Sequence, residues 1–384
     1  SRRYRERENH ISSDSWPIYI SLQKDGILFK MRRTQDLPDK ESATMFFQDC
    51  KLAHQAQITG ISHSVKEILP PDLLDLTQLQ KEANIRYGFT ASEVYDIAQS
   101  LYEKKLISYP RTSSRYLTED VLDSLSPIMA RLLSWELFPA AKGTGGIDIS
   151  SLSRHVINAE KANVHHAIII TGIRPGNMSE KEMQVYRLVA GRMLETFMAP
   201  CRIETTNVEA VCAAQHFKAE QTRIIEAGWH DVFMRSDMVP KSGYSVNELP
   251  EVEKSDTLNV CGCNMVHKKQ LPVNPFTDAE LVEYMEQNGL GTVSSRTNII
   301  RTLVNRKYIR YSGKYIVPTP KGMFTYETIR GKKIADTSLT ADWEKQLAGL
   351  ESGMITGQDF LNRIRTLAKE MTDDIFNTYS TKEE

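Results

Sequence analysis

"WPIYISLQKDGILFKMRR" occupies residues 16–33. Apolar and polar side chains alternate on both sides of Asp25-Gly26, so the stretch reads as two strands joined by a tight turn. A second stretch of strand composition, "IETTNVEAVCAAQHFKAEQTRII", lies far downstream at 203–225. Residues 16–70 and 203–265 are both read as β-rich, and together as one discontinuous domain. The region between them is mostly helical, and so is the last third of the chain. At 384 residues, the chain is long enough for about two to four domains.

Composition sets the outer limits. Hydrophobic residues make up 40% and charged residues 25%, which suits a globular protein with packed cores. The net charge is −1, so no whole-molecule field announces a polyanionic partner and charge has to be read locally. Five cysteines without a regular framework point to a reducing compartment. Cys261-Gly-Cys263, with His267 nearby, has the wrong spacing for a zinc knuckle. No apolar run nears the roughly 20 residues needed to span a bilayer. No signal peptide is legible. The first residues, "SRRYRERENH", read as the middle of a basic polar helix, and the chain is expected to be a fragment of something longer.

In the middle region, "DLTQLQKEANIRYG" (75–88) reads as a helix closed by Gly88. "TASEVYDIAQSLYEKK" (90–105) opens with a capping box, Thr90 with Glu93. Its Val94, Ile97, Ala98 and Leu101 follow a helical period, and Lys104 and Lys105 suit a C-terminus. "LISYPRTSSRYLT" (106–118) follows at once. Pro110 keeps Tyr109 out of the α region, so the phenol sits on a stiff extended backbone beside Arg111. The Gly-rich "AAKGTGGIDIS" (140–150) lacks the Lys and Ser or Thr of a phosphate loop and reads as a flexible loop.

In the last third, "FTDAELVEYMEQNGLGT" (276–292) carries a second capping box, Thr277 with Glu280, and a C-capping Gly289. "SSRTNIIRTLVNRKYIRYSGKYIVPTPKG" (294–322) then reads as helix, strand, Ser312-Gly313 turn and strand, a winged-helix pattern. Between Leu290 and Ala335 there are ten Lys or Arg and one acid, Glu327. Tyr308, Tyr311, Tyr315, Phe324 and Tyr326 interleave with the cations. Charges for phosphates and rings for bases suit a single-stranded nucleic acid. The competing reading is a solvated face beside a hydrophobic wing.

Several of these stretches resemble one family in its own order. "ISYPRTSSRYL" (107–117), "VHHAIIIT" (164–171), "GLGTVSSRTNIIRTLVNRKYI" (289–309) and "LTADWEKQLAGLESG" (339–353) resemble the type IA DNA topoisomerases, and most of all the topoisomerase III branch. "RERENH" (5–10) and "PPDLLDLTQLQKEANIRYGFTA" (70–91) agree. The resemblance implies an α+β multidomain toroid core, with a β-rich arch linking two mainly helical, winged-helix-like domains. The arch would comprise 14–70 and 179–265, the Tyr-bearing domain 71–178, and the base 1–13 and 266–384.

The resemblance also implies roles. Tyr109 would attack one DNA strand and leave a 5′-phosphotyrosyl link and a free 3′-hydroxyl. A phenol with a pKa of about 10 attacks poorly while protonated. The Arg111 guanidinium would favour the phenolate and stabilise charge on the phosphate. Arg115 either assists or serves a structural or DNA-backbone role. His165 would hold the phosphate or relay a proton; His166 reads as a packed residue. Thr292, Ser295, Arg296 and Arg301 would contact DNA, Arg296 near a helix start where free N–H groups also point.

The sequence departs from the family at Ser113, where an acid is usual, at Ile170 for the usual Pro, and at Val293, Ser294 and Ser295. These changes bear on substrate preference. The family's Toprim domain holds Mg²⁺ on a Glu and an Asp-x-Asp motif, and this chain contains no Asp-x-Asp. The expectation is therefore a core that binds single-stranded and underwound DNA as a cytoplasmic, nucleoid-associated monomer without a membrane partner. It would hold no Mg²⁺ itself and be inactive without that domain. A tyrosine recombinase is the rival enzyme, but its Tyr would come near the C-terminus. A non-catalytic single-stranded DNA-binding module is the rival of another class.

Overall fold

The structure, a computed structural model, describes residues 1–135, 137–139, 156–158, 160–162, 165–234 and 240–380. The Gly-rich segment 140–150 lies outside these residues. The chain opens with α1 (Arg2–Glu8), β1 (Asp14–Ser15), β2 (Ile18–Lys24), β3 (Ile27–Arg33), α2 (Lys40–Leu52) and the long β4 (Gln55–Ile68). Helices α3 (Leu76–Tyr87), α4 (Ala91–Glu103), α5 (Glu119–Ser134) and α6 (Glu180–Thr196) follow. Strands β5 (Cys201–Cys212), β6 (Gln215–Glu226), β7 (Thr257–Met265) and β8 (Lys268–Lys269) come next. The chain ends with α7 (Asp278–Gln287), α8 (Arg296–Asn305), β9 (Ile309–Ser312), β10 (Tyr315–Pro318), α9 (Pro320–Ile329), α10 (Thr337–Glu351) and α11 (Gly357–Ser380).

The two distant β stretches meet in one closed barrel, ordered β2-β3-β6-β5-β4-β7. The β2–β3 hairpin turns at Asp25 and Gly26, both in the left-handed region at φ +50° and +81°, as a two-residue turn matched to strand twist requires. Alternate residues point inward, so Ile18, Ile20, Leu22, Met31, Ile58, Val208 and Phe217 fill the barrel. Helix α2 covers it with Ala43 and Cys50. The β5–β6 hairpin turns at Ala213 and Ala214, also at positive φ but without a glycine.

Between β4 and β5 the helical region builds its own core. Leu76, Leu79, Val94, Ala98, Leu101, Leu125 and Leu132 from α3, α4 and α5 are buried together. Helix α6, which the sequence division placed with the β segments, adds Val185, Tyr186, Val189 and Met193 to the same core. Helix α3 starts at an Asp75 side-chain cap and ends at Gly88 with φ +71°. Helices α4 and α7 carry the expected capping boxes, Thr90 with Glu93 and Thr277 with Glu280.

Helices α7 and α8 and the β9–β10 hairpin form the helix–helix–wing unit. A small core of Val282, Met285, Ile300 and Ile316 takes in Ala91 from the start of α4. Gly322 on α9 lies so close to the wing that a Cβ there would stand 2.0 Å from the Tyr308 carbonyl oxygen.

Candidate active site and nucleic-acid interface

The extended segment after α4 is held by short-range pairing with residues 165–171. Lys105 takes a left-handed conformation at φ +58° and turns the chain out of the helix. Ile107 then bridges Ile170 in antiparallel fashion. The Ser108 N–H donates to the Ile169 carbonyl at 2.8 Å, and the Ser108 hydroxyl donates to the Ala167 carbonyl at 3.1 Å. The Thr112 hydroxyl donates to the His165 carbonyl at 2.9 Å. Leu106, Ile107, Pro110, Thr112 and Ser114 are buried, so the segment is anchored along one side. Tyr109 and Arg111 remain half-buried on the other.

This pairing brings Tyr109 and His165 together, and Arg111, two residues on, rests against the same helix α4. The Tyr109 ring centroid is 4.5 Å from that of exposed His165 and 5.4 Å from that of Tyr102, which meets it edge-on. Among the described residues the Tyr109 hydroxyl meets no hydrogen-bond partner. The Arg111 guanidinium carbon lies 5.1 Å from the Tyr95 ring centroid, and its Nη2 donates to Gln99 Oε1 at 3.2 Å. Tyr95, Gln99 and Tyr102 lie at helical spacing on one face of α4. They formed no part of the sequence reading, although that spacing, ten residues or so before the phenol, was available to find them.

The other nominated residues lie elsewhere. Arg115 donates from Nε to Asp75 Oδ2 at 2.7 Å, and Asp75 is only 2% exposed. Burial pushes the Asp75 carboxyl above the usual carboxylate range, with Arg115 pulling the other way. Asp75 also accepts the Gln78 N–H at 2.7 Å as the cap of α3. His166 turns its Nδ1 to the Ala167 carbonyl at 2.7 Å.

Thr292, Ser295, Arg296 and Arg301 cluster at and after the start of α8. The Thr292 N–H donates to Ser295 Oγ at 2.8 Å in a closed turn. Arg296, 8% exposed, donates from Nη1 to Glu286 Oε1 at 3.1 Å. Thr77 of α3 donates to the same oxygen at 3.1 Å. Lys81 pairs with Glu283 at 2.7 Å, and Gln80 donates to Thr297 Oγ1 at 2.9 Å. Arg301 donates from Nε to Ser92 Oγ at 2.8 Å and from Nη2 to Asp96 Oδ2 at 2.9 Å. These residues therefore stitch α7 and α8 to α3 and the start of α4. Tyr109 is at the other end of α4, beside Tyr102, about 15 Å of helix axis from Ser92.

The wing supplies the expected cation–ring pairs. Lys321 Nζ lies 4.4 Å from the Tyr308 ring centroid, and Phe324 is 73% exposed beside it on α9. Tyr311, expected on that face, instead donates its hydroxyl to Asp278 at 2.7 Å. Burial pushes both groups up; the Asp278 carboxylate holds the Tyr311 phenol up further, while the Tyr311 hydrogen bond pulls the Asp278 carboxyl back down. Cys261 is exposed and Cys263 half-buried, both as free thiols. Among the described residues no group of three or more His, Cys, Asp or Glu side chains could hold a metal ion. The Mg²⁺ that the resemblance implies finds no fitting donor set among them. No described helix is long and apolar enough to cross a membrane.

Comparison with known proteins bears on the family and the fold. A family model described as DNA topoisomerase matches residues 1–362. The chain is 31% identical to a DNA topoisomerase 3 of Bacillus licheniformis over 344 residues, covering 83% of this chain and 47% of that one. It is 30% identical to a DNA topoisomerase 3 of Bacillus subtilis, covering 85% and 48%. It spans about half the length of the curated relatives it matches. Its fold matches full-length topoisomerase I from Thermotoga maritima with a TM-score of 0.74 at 22% identity, covering 96% of this chain and 60% of that one. With the family model spanning nearly the whole chain and the fold shared, this protein belongs to the type IA DNA topoisomerase family.

Proposed function

We propose that the chain is the strand-handling core of a DNA topoisomerase and that Tyr109 is its nucleophile. The observation that carries this reading is the placement of Tyr109. Its ring is wedged between Tyr102 and His165, Arg111 follows two residues on, and its hydroxyl is unclaimed among the described residues. In the proposed reaction the Tyr109 oxygen attacks a backbone phosphorus. The 3′ oxygen leaves, a 5′-phosphotyrosyl bond forms, and religation reverses both changes. Arg111 stabilises charge on the phosphate oxygens. His165, exposed beside the ring, holds the phosphate or moves a proton between the phenol and water.

Single-stranded DNA is the proposed partner, with underwound duplex as its source and a monomer as the working unit. The cation–ring surface of α8, the wing and α9 would grip it. Arg296 and Arg301 would reach phosphates only by exchanging Glu286 and Asp96 for them. That exchange would accompany the parting of α7 and α8 from α3 and α4, with the barrel as the hinge. Mg²⁺ would be supplied by an acidic domain outside these residues. The relatives' name, DNA topoisomerase 3, supports the reading, and a cytoplasmic setting is proposed with it.

The test is covalent trapping on a labelled single-stranded oligonucleotide, with that acidic domain fused or added in trans. Tyr109→Phe should abolish the adduct and leave strand binding nearly unchanged, because only the hydroxyl is removed. An adduct that persists in the variant would overturn the assignment. Strand binding without any adduct in the wild type would favour the non-catalytic binding module.

A further inference from the structure

We infer that Gln99 is a positioning residue for Arg111, holding its guanidinium in place without neutralising it and so keeping that charge for a DNA phosphate. The inference rests on the reading of Tyr109 and Arg111 above and adds a residue to it. The observation behind it is a contrast among neighbouring arginines. Arg115, Arg296 and Arg301 each meet a carboxylate, at 2.7, 3.1 and 2.9 Å. Among the described residues Arg111 meets none. Its hydrogen-bond acceptor is the neutral amide oxygen of Gln99, at 3.2 Å.

The amide is itself oriented. Gln99 Nε2 donates to Glu103 Oε1 at 2.8 Å, one turn further along α4. With the NH₂ end claimed by that carboxylate, the oxygen end faces Arg111. Glu103 thereby acts on the cation through a dipole and not as a direct ion-pair partner. Tyr95 supports the guanidinium from below, at 5.1 Å. Arg111 Nε is buried with no partner among the described residues. A guanidinium with a neutral tether and an aromatic floor keeps its charge for an anion that arrives later. Had residue 99 been a carboxylate, the ion pair would cancel much of that attraction before any strand bound.

The salt dependence of binding tests this with the chain as it stands, using a labelled single-stranded oligonucleotide. Each phosphate contact contributes roughly 0.7 to the slope of log affinity against log salt. Arg111→Ala should flatten the slope by about 0.7. Gln99→Glu should flatten it by about the same amount, and should change it no further when Arg111→Ala is already present. Gln99→Met, with no acceptor and no charge, should keep the slope and weaken binding about three-fold, because Arg111 must then be ordered at the moment of binding. Melting temperatures of the variants should stay within a few degrees, which separates positioning from damage to α4.

A wild-type slope in Gln99→Glu beside a flattened one in Arg111→Ala would overturn the role of Gln99 alone. So would a Gln99→Glu effect that survives in the Arg111→Ala background, since it would then come from the new charge itself. An unchanged slope in Arg111→Ala would overturn the phosphate role of Arg111, and this inference with it.

Discussion

Replacing Glu182 by Gln tests how the helical unit holds the segment that carries Tyr109. Glu182 closes the capping box of α6 by accepting the Ser179 N–H at 2.9 Å. Its other oxygen accepts from Lys104 Nζ at 2.5 Å and Ser100 Oγ at 2.7 Å, both at the end of α4. Lys104 first, then the Ser179 N–H and Ser100, hold its carboxyl down at about 2 against an ordinary 4.5. Taken at face value that gap corresponds to ~3 kcal/mol. The Lys104 side chain is 43% exposed, and solvent screening there brings the charge contribution down to about 1 kcal/mol. Gln keeps the cap but turns its NH₂ toward Lys104 and Ser100, leaving hydrogen bonds unmade for about 1 kcal/mol more. The expected loss at neutral pH is therefore about 2 kcal/mol, read from urea unfolding followed by the fluorescence of buried Trp229. A depressed carboxylate stabilises fully above its unfolded pKa and ceases to do so as pH falls through the folded value. The gap between wild type and variant should then be constant above pH 4.5 or so and shrink toward pH 2, leaving the hydrogen-bond part. A gap under about 0.5 kcal/mol at pH 7, or one that ignores acid, would refute the reasoning.

Gly322→Ala places a Cβ against a carbonyl oxygen, where no flexible side chain can yield, and should cost at least about 2 kcal/mol while exposing the wing to proteolysis. Glu286→Gln should raise affinity for single strands by releasing Arg296, and Arg296→Ala should flatten the salt slope by roughly 0.7. If neither measurement moves, Arg296 is only a structural pin between α3 and α8. The purified chain should not relax a negatively supercoiled plasmid at any Mg²⁺ concentration, and an acidic domain fused or added in trans should restore relaxation. Relaxation by the chain alone would mean that it assembles a metal site of its own.

Legibility in the sequence followed the range of the interactions. The Asp25-Gly26 turn, the capping boxes at Thr90 and Thr277 and the Gly88 stop are local, with signals written in neighbouring residues, and each appears as read. The Ala213-Ala214 turn was not legible. No glycine marks its positive φ, and only strand pairing on both sides holds it there. The meeting of Tyr109 with His165 was expected through resemblance, yet its cause, the pairing of Ser108 with Ile169, joins residues 61 apart. Ion-pair partners were least visible. Arg296 and Arg301 look identical in sequence to cations awaiting a phosphate, and only the fold shows Glu286 and Asp96 opposite them.

Closure of the barrel has a consequence for biosynthesis. Strand β4 pairs with β5 so that Ile68 faces Cys201, and β2 pairs with β7 so that Ile18 faces Met265. A nascent chain emerging from the ribosome must therefore hold β2, β3 and β4 unclosed while the helical unit is still being made. That unit has its own apolar core, so it can collapse first and bring residues 68 and 201 side by side. Its early folding would turn a slow search across more than a hundred residues into the zipping of adjacent strands. Variants that loosen the helical core should accordingly delay barrel closure and leave the β4 edge open to aggregation during synthesis.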